Sequence, residues 1–270
     1  MDQAVSGQYA SGKMLASVTD GVGLITFNQP EKRNAMSIEM WDGLTAILDA
    51  WIDDPAVRVV VLTGAGDKAF VSGADISQFE KNRSNADAQR DYDRLTTAGR
   101  AKLGAFPKPI IARISGFCLG GGLGIAMTAD IRVASESSAF GIPAAKLGIA
   151  YNFQMVGRLV SLVGQANARA MLFGGLRMDS AEALRIGLVN QVVPDAELDA
   201  TVEKMARNIA GNAPLSVRGM KLVVDTVMRD PADRDLQAVH DAIAACFDSA
   251  DYTEGRTAFM EKRAPKFQGR

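Results

Sequence analysis

The chain has 270 residues, with 30 Lys plus Arg against 31 Asp plus Glu and a formal net charge of −1. That balance lacks the large basic excess of a nucleic-acid binder, so this partner class is set aside. A hydrophobic fraction of 47% against 23% charged residues is enough to bury a core and argues against disorder. The length fits one large domain, or one domain with an appendix.

Residues 1–13 read as a loose polar tail with no leader sequence. Met14–Thr19 and Val22–Asn28 are β-rich runs joined by Asp20-Gly21, a strong hairpin signal. Ser37 is placed to cap a helix whose apolar positions Met40, Leu44, Ile47, Leu48 and Trp51 repeat with helical spacing. Val57–Thr63 is β-branched throughout its centre and reads as a buried strand. A polar stretch from Gln78 to Asp93 leads into a helix that ends near Phe106, before Pro107 and Pro109, and Pro109–Ile114 starts another strand. The turn Gly120-Gly121-Gly122 opens an apolar helix to about Thr128, followed by a strand over Asp130–Ala134.

After Pro194 the pattern becomes helical, over Asp195–Ala210, Pro214–Met228, Asp233–Phe247 and Thr253–Lys262. Strand–helix alternation followed by helices alone predicts an α/β core over 14–194 and a helical region over 195–270.

Several chemistries are excluded early. Two cysteines, Cys118 and Cys246, and a single histidine, His240, provide neither a disulfide framework nor a metal-ligand set. No metal site is expected, and a reduced cytoplasmic setting fits best. The longest uncharged run, Ile114 to Ala129, spans 16 residues and holds five glycines, too short and too glycine-rich for a membrane span.

Two segments remain as candidates for chemistry. One runs Val59-Val60-Val61-Leu62-Thr63-Gly64 and continues to Ser72-Gly73-Ala74-Asp75; the other is Ile114 to Gly124. In each, a buried strand leads into small residues that let a ligand approach backbone N–H groups. The second also opens a helix, whose first N–H groups favour negative charge. Two such donors on one oxygen make an oxyanion hole, which suits a thioester becoming an enolate. Close helix–sheet packing is the commoner use of such glycines. The turn has neither the Gly-Lys-Ser/Thr of a P-loop nor the full dinucleotide spacing.

Taken together, Ile25 to Ala35, the Ser-Gly-Ala-Asp segment, the Leu-Gly-Gly-Gly segment, Ser180 to Asn190 and Phe259 to Arg263 resemble the crotonase superfamily of enoyl-CoA hydratases and isomerases. The resemblance runs from about residue 14 to 268. It implies an α/β spiral of ββα units with a helical C-terminal trimerisation region, assembled as a homotrimer or homohexamer. It also implies an acyl-CoA substrate, with coenzyme A entering as part of the substrate and no separate cofactor. Carried over by motif, the Ala74 and Gly121 N–H groups would hold the thioester oxygen. Lys32, Arg33, Ser72, Ile76 and Gly120 match places where the family contacts CoA. Lys262 and Lys266 are candidates for the CoA phosphates, across a subunit boundary.

At two positions the family pattern fails. Typical hydratases of this family carry one glutamate three residues after the middle glycine and another after the proline of Phe-Gly-x-Pro. This chain has Gly124 and Ala144 there. Adding water to a conjugated double bond needs one group to activate water and another to deliver a proton, and glycine and alanine do neither. Leu147 to Asn152 resembles the Gly-x-x-Tyr-Asn stretch of methylmalonyl-CoA decarboxylases in the same superfamily, which makes Tyr151 a candidate proton donor. The readings carried forward are enolate chemistry on an acyl-CoA, decarboxylation of a malonyl-type ester using Tyr151, double-bond isomerisation with a base such as Asp75, and a catalytically silent acyl-CoA binder.

Overall fold

A computed structural model of the chain describes residues 5–75 and 86–270. Its first sheet begins with three antiparallel strands, β1 (Val5–Tyr9), β2 (Met14–Thr19) and β3 (Val22–Phe27). Asp20 and Gly21, both at positive φ, make the β2–β3 hairpin turn expected of an Asp-Gly pair.

The loose tail expected over 1–13 is corrected from residue 5 onward by β1; residues 1–4 lie outside the described residues. Val5 pairs with Val18 and Tyr9 with Met14, and a turn with positive φ at Ala10, Ser11 and Gly12 reverses the chain between them. An edge strand is held by main-chain hydrogen bonds, which leave little trace in side-chain periodicity.

Helix α1 (Ile38–Trp51) buries Met40, Leu44, Ile47, Leu48 and Trp51, the positions expected from spacing. Ser37 occupies the N-cap position, but its hydroxyl bonds the Glu39 carboxylate at 3.3 Å rather than a helix N–H. A charged acceptor competes well with a cap bond.

Three ββα units follow: β4 (Val59–Gly64), β5 (Ala69–Val71) and α2 (Ala86–Gly104); β6 (Ile110–Ile114), β7 (Phe117–Leu119) and α3 (Gly121–Thr128); then β8 (Ile131–Ser135), β9 (Ala139–Gly141) and α4 (Phe153–Gly174). The first strand of each unit joins the seven-stranded sheet β1-β2-β3-β4-β6-β8-β11. The second joins the four-stranded sheet β10-β9-β7-β5. β10 (Arg177–Asp179), α5 (Ser180–Arg185) and β11 (Gln191–Val193) complete the two sheets. This is the spiral of ββα units that the motifs implied.

Strand β4 shows why a continuous apolar run was needed. Val60 and Leu62 face the main core, while Val59 and Val61 face a second cluster with Ile111, Val133, Leu198, Val202 and Ala206. A parallel strand covered on both faces cannot alternate with polar residues. The second cover is α6 (Leu198–Ala210), so the first helix after Pro194 packs directly on the sheet.

α7 (Pro214–Val227), α8 (Leu236–Phe247) and α9 (Ala250–Met260) follow. The last residues fold back on α9: the buried Asp251 carboxylate accepts from the N–H groups of Gln268 at 2.6 Å and Gly269 at 2.7 Å. Helix α4, which the sequence reading did not delimit, is capped by Asn152, whose side chain accepts from Met155 N–H at 3.0 Å, and is interrupted at Gly164. Among the described residues, no helix is long and apolar enough to cross a membrane.

Candidate active site

Strand β5 ends at Val71 and delivers Ser72-Gly73-Ala74-Asp75 to the turn after β3. Four backbone and side-chain ties fix this segment. Ser72 N–H donates to Arg33 O at 3.1 Å, Met36 N–H to Gly73 O at 2.8 Å and Asp75 N–H to Met36 O at 2.9 Å. The Lys32 ammonium donates to the Asp75 carboxylate at 2.7 Å. Asp75 is buried, and its hydrogen bond holds the Lys32 amine above the usual lysine range. Beneath the turn, the fully buried Asn34 accepts from Gln29 N–H and donates to Ala65 O and Ala69 O. Asp75 thus has a structural partner in Lys32 and anchors the strand that presents Ala74.

Facing this segment is the start of α3. Gly120, at φ +54 and ψ −121, occupies the N-cap position in a conformation that side chains rarely adopt. Its N–H donates to Gly141 O at 2.9 Å, which ties the turn to β9. Gly122 is forced to be glycine by contact: a Cβ there would lie 2.0 Å from Val71 O. The two close approaches bring the helix start onto the strand end. A Cβ added at Gly121 would sit 3.9 Å from the Ala74 nitrogen. Ala74 and Gly121 are both half-buried, so solvent or a ligand can reach them. Among the described residues, neither of their N–H groups donates to a protein acceptor. They are thus adjacent main-chain donors with unfilled hydrogen-bonding capacity at the positive end of a helix.

Tyr151 is half-buried against the core, and its hydroxyl lies 3.3 Å from where a Cβ on Gly120 would stand. This brings the phenol to the same turn. Lys32 and Arg33 are exposed on the turn beside Ser72, and the Ser72 hydroxyl donates to Lys32 O at 3.4 Å. The Arg33 guanidinium lies 5.2 Å from the Phe117 ring centroid, with Arg177 at 5.0 Å from the same ring. Ile76 lies outside the described residues. Lys262 is exposed just beyond α9.

The two positions that lack carboxylates are buried. Ala144 is 6% exposed, and a Cβ at Gly124 would meet the Met155 methyl at 2.7 Å and its sulfur at 3.3 Å. The space is therefore filled by a thioether from α4, with the Arg100 Cδ 3.8 Å away on the α2 side. Sequence reading missed Met155. Its helical spacing with Leu159 and Val163 marks a buried face, but nothing local reveals which glycine it covers. Cys118 is fully buried, and burial pushes its thiol well above the usual range, so it has no nucleophilic character. His240 is exposed on α8. Among the described residues, no group of three or more His, Cys, Asp or Glu side chains is placed to hold a metal ion.

The family model for enoyl-CoA hydratase/isomerase matches residues 17–270. A short-chain-enoyl-CoA hydratase of Clostridium acetobutylicum is 38% identical over 242 residues, covering 90% of this chain and 92% of that protein. A crotonyl-CoA hydratase of Syntrophomonas wolfei is 39% identical over 250 residues, covering 91% and 94%. A crystal structure described as an enoyl-CoA hydratase/carnithine racemase from Magnetospirillum magneticum superposes with a TM-score of 0.91 at 35% identity, over 96% of each chain. With one family model spanning nearly the whole chain and the same fold in its solved relatives, the chain belongs to the enoyl-CoA hydratase/isomerase family.

Proposed function

We propose that this protein binds an acyl-CoA thioester with its carbonyl oxygen between the Ala74 and Gly121 N–H groups, and that it stabilises the enolate formed there. The observation that carries this reading is the approach of Gly121 to the Ala74 nitrogen, with both amides lacking a protein acceptor among the described residues. Donors fixed before the reaction stabilise developing negative charge without having to reorganise. The Lys32–Asp75 pair and Asn34 hold one donor, and the Gly122 contact with Val71 holds the other. In this reading Lys32, Arg33, Ser72, Ile76, Gly120 and Lys262 contact the CoA portion.

The relatives named as hydratases suggest water addition, but this chain has no carboxylate at Gly124 or Ala144 to activate water. A second reading is favoured by the Tyr151 hydroxyl beside Gly120. In a malonyl-type CoA ester, the bond between the α-carbon and its carboxylate breaks, carbon dioxide leaves, and the bond's electron pair becomes the enolate. No base is needed. The α-carbon then takes the Tyr151 phenol proton, and solvent restores that proton.

Assembly as a homotrimer or homohexamer belongs to the same proposal. It is supported by Val224, Val227 and Met228 near the end of α7 and by Phe247 and Phe259, all more than 60% exposed. A cytoplasmic setting is part of it too.

The deciding experiment is product mass on crotonyl-CoA, a 3-enoyl-CoA, malonyl-CoA and methylmalonyl-CoA. Hydration adds water, decarboxylation loses carbon dioxide, and isomerisation leaves the mass unchanged but moves the double bond. Binding without turnover marks a silent acyl-CoA binder. Absence of binding to any acyl-CoA refutes the proposal.

A further inference from the structure

Helices α2, α3 and α4 meet one turn beyond the candidate donors, around a cavity of about 200 Å³ whose lining includes Arg100, Ala101, Gly124, Met127 and Met155. Gly124 N–H donates to Gly120 O at 3.1 Å, so these two glycines lie one turn apart on α3. Tyr151 stands over the first and Met155 over the second. Met155 is 8% exposed, and its methyl fills the space in which any side chain at position 124 would begin.

We propose that Met155 is a specificity-determining residue that sets the length of the acyl chain. This rests on the acyl-CoA reading above. An acyl group whose oxygen is held at Gly121 and whose chain follows α3 reaches Met155 after about one helical turn, roughly 5.4 Å. At about 1.5 Å per carbon–carbon bond, that is the span of roughly four carbons. The thioether is an apolar end wall, unbranched and able to adapt to a methyl terminus. Beyond it the lining turns polar. The Arg100 guanidinium donates to Thr96 and lies 5.4 Å from the Trp41 ring centroid. A longer chain must therefore displace Met155 or end against a charged group. Trimming Met155 vacates the thioether's own volume, which added methylenes can fill before they reach the polar lining formed by Thr97, Arg100 and Gln154.

The test is calorimetric binding of butyryl-, hexanoyl- and octanoyl-CoA to the full-length protein, to Met155→Ala and to Met155→Leu. The wild type is expected to lose affinity as the chain lengthens. In Met155→Ala the octanoyl-to-butyryl affinity ratio is expected to rise by roughly tenfold or more, from methylenes newly buried. Met155→Leu conserves volume and is expected to keep the wild-type ratio within about twofold. Should Met155→Ala fail to fold, Gly124→Ala runs the test in reverse. Its methyl pushes on Met155 from the other side, and hexanoyl-CoA is expected to lose ground to butyryl-CoA. Binding of all three thioesters with unchanged ratios overturns the role of Met155 alone. Failure of the wild type to bind any of them overturns the acyl-CoA reading and this inference with it.

Discussion

Gly122→Ala is the substitution that most directly tests how the two candidate donors are held together. The added methyl would fall 2.0 Å from Val71 O and 2.7 Å from both the Val71 carbonyl carbon and Cβ. The first contact is about 1.4 Å short of an ordinary 3.4 Å approach. Two of these atoms are backbone, so no rotamer change relieves the clash. Either the start of α3 or the end of β5 must move, and these elements carry Gly121 and Ala74. Overpacking a tight core costs about 1–3 kcal/mol and occasionally more; rigid backbone on the far side places this case near 3 kcal/mol.

A displacement near 1 Å at a reacting centre costs on the order of 10²-fold in rate, so turnover should fall further than stability alone requires. Gly157→Ala, at an exposed position of α4, is the matched control. Nothing lies within 4 Å of a Cβ there, and helix propensity predicts a gain of roughly 0.5–1 kcal/mol. Chemical denaturation gives the stabilities, and butyryl-CoA titration reads the site. If Gly122→Ala unfolds within about 0.5 kcal/mol of wild type and binds the thioester as tightly, the reasoning from contact at Gly122 is wrong.

Other perturbations follow from the same geometry. Tyr151→Phe should slow turnover of a malonyl-type ester by on the order of 10²-fold or more while leaving CoA affinity nearly unchanged, and an unaltered rate removes the phenol from the mechanism. Asn34→Ala strips partners from Gln29 N–H, Ala65 O and Ala69 O, and should cost roughly 2–4 kcal/mol by denaturation. Gly124→Glu combined with Ala144→Glu must push aside the Met155 methyl, which stands 2.7 Å from the new Cβ; adding Met155→Ala should therefore raise crotonyl-CoA hydration in that variant, and equal rates with and without it would refute the role given to this contact. The Glu254 carboxyl is pulled down to about 2 by hydrogen bonds from Arg263 and the Lys266 N–H. Because its folded value lies below the unfolded one, the tie between α9 and the chain end is whole above pH about 4.5 and is lost as pH falls toward about 2. Protection of the Lys266 amide, taken relative to its intrinsic exchange rate at each pH, should fall across that window and stay constant in Glu254→Gln.

Much of this molecule could be read locally. The Asp20-Gly21 turn needs positive φ at both positions, and the helical repeat of Met40, Leu44, Ile47, Leu48 and Trp51 names its own buried face. The all-apolar run of β4 anticipates cover on both sides. The motifs carried the family and with it the ββα spiral. Residues 5–9 escaped because strand pairing is a main-chain affair, and Asn152 stood at the end of a quoted motif with nothing local to mark it as the cap of a helix.

What the amino-acid order determined by itself was therefore periodicity, turn chemistry and the absence of two carboxylates, all properties of residues near one another in the chain. Only the tertiary structure decided that Lys32 pins Asp75, that Gly122 must clear Val71, and that Met155 fills the space over Gly124. Each of these joins segments separated by 31 to 51 positions. Sterics and hydrogen bonding act through space, and no single residue's neighbours in sequence say which distant atom the packed core will bring against it.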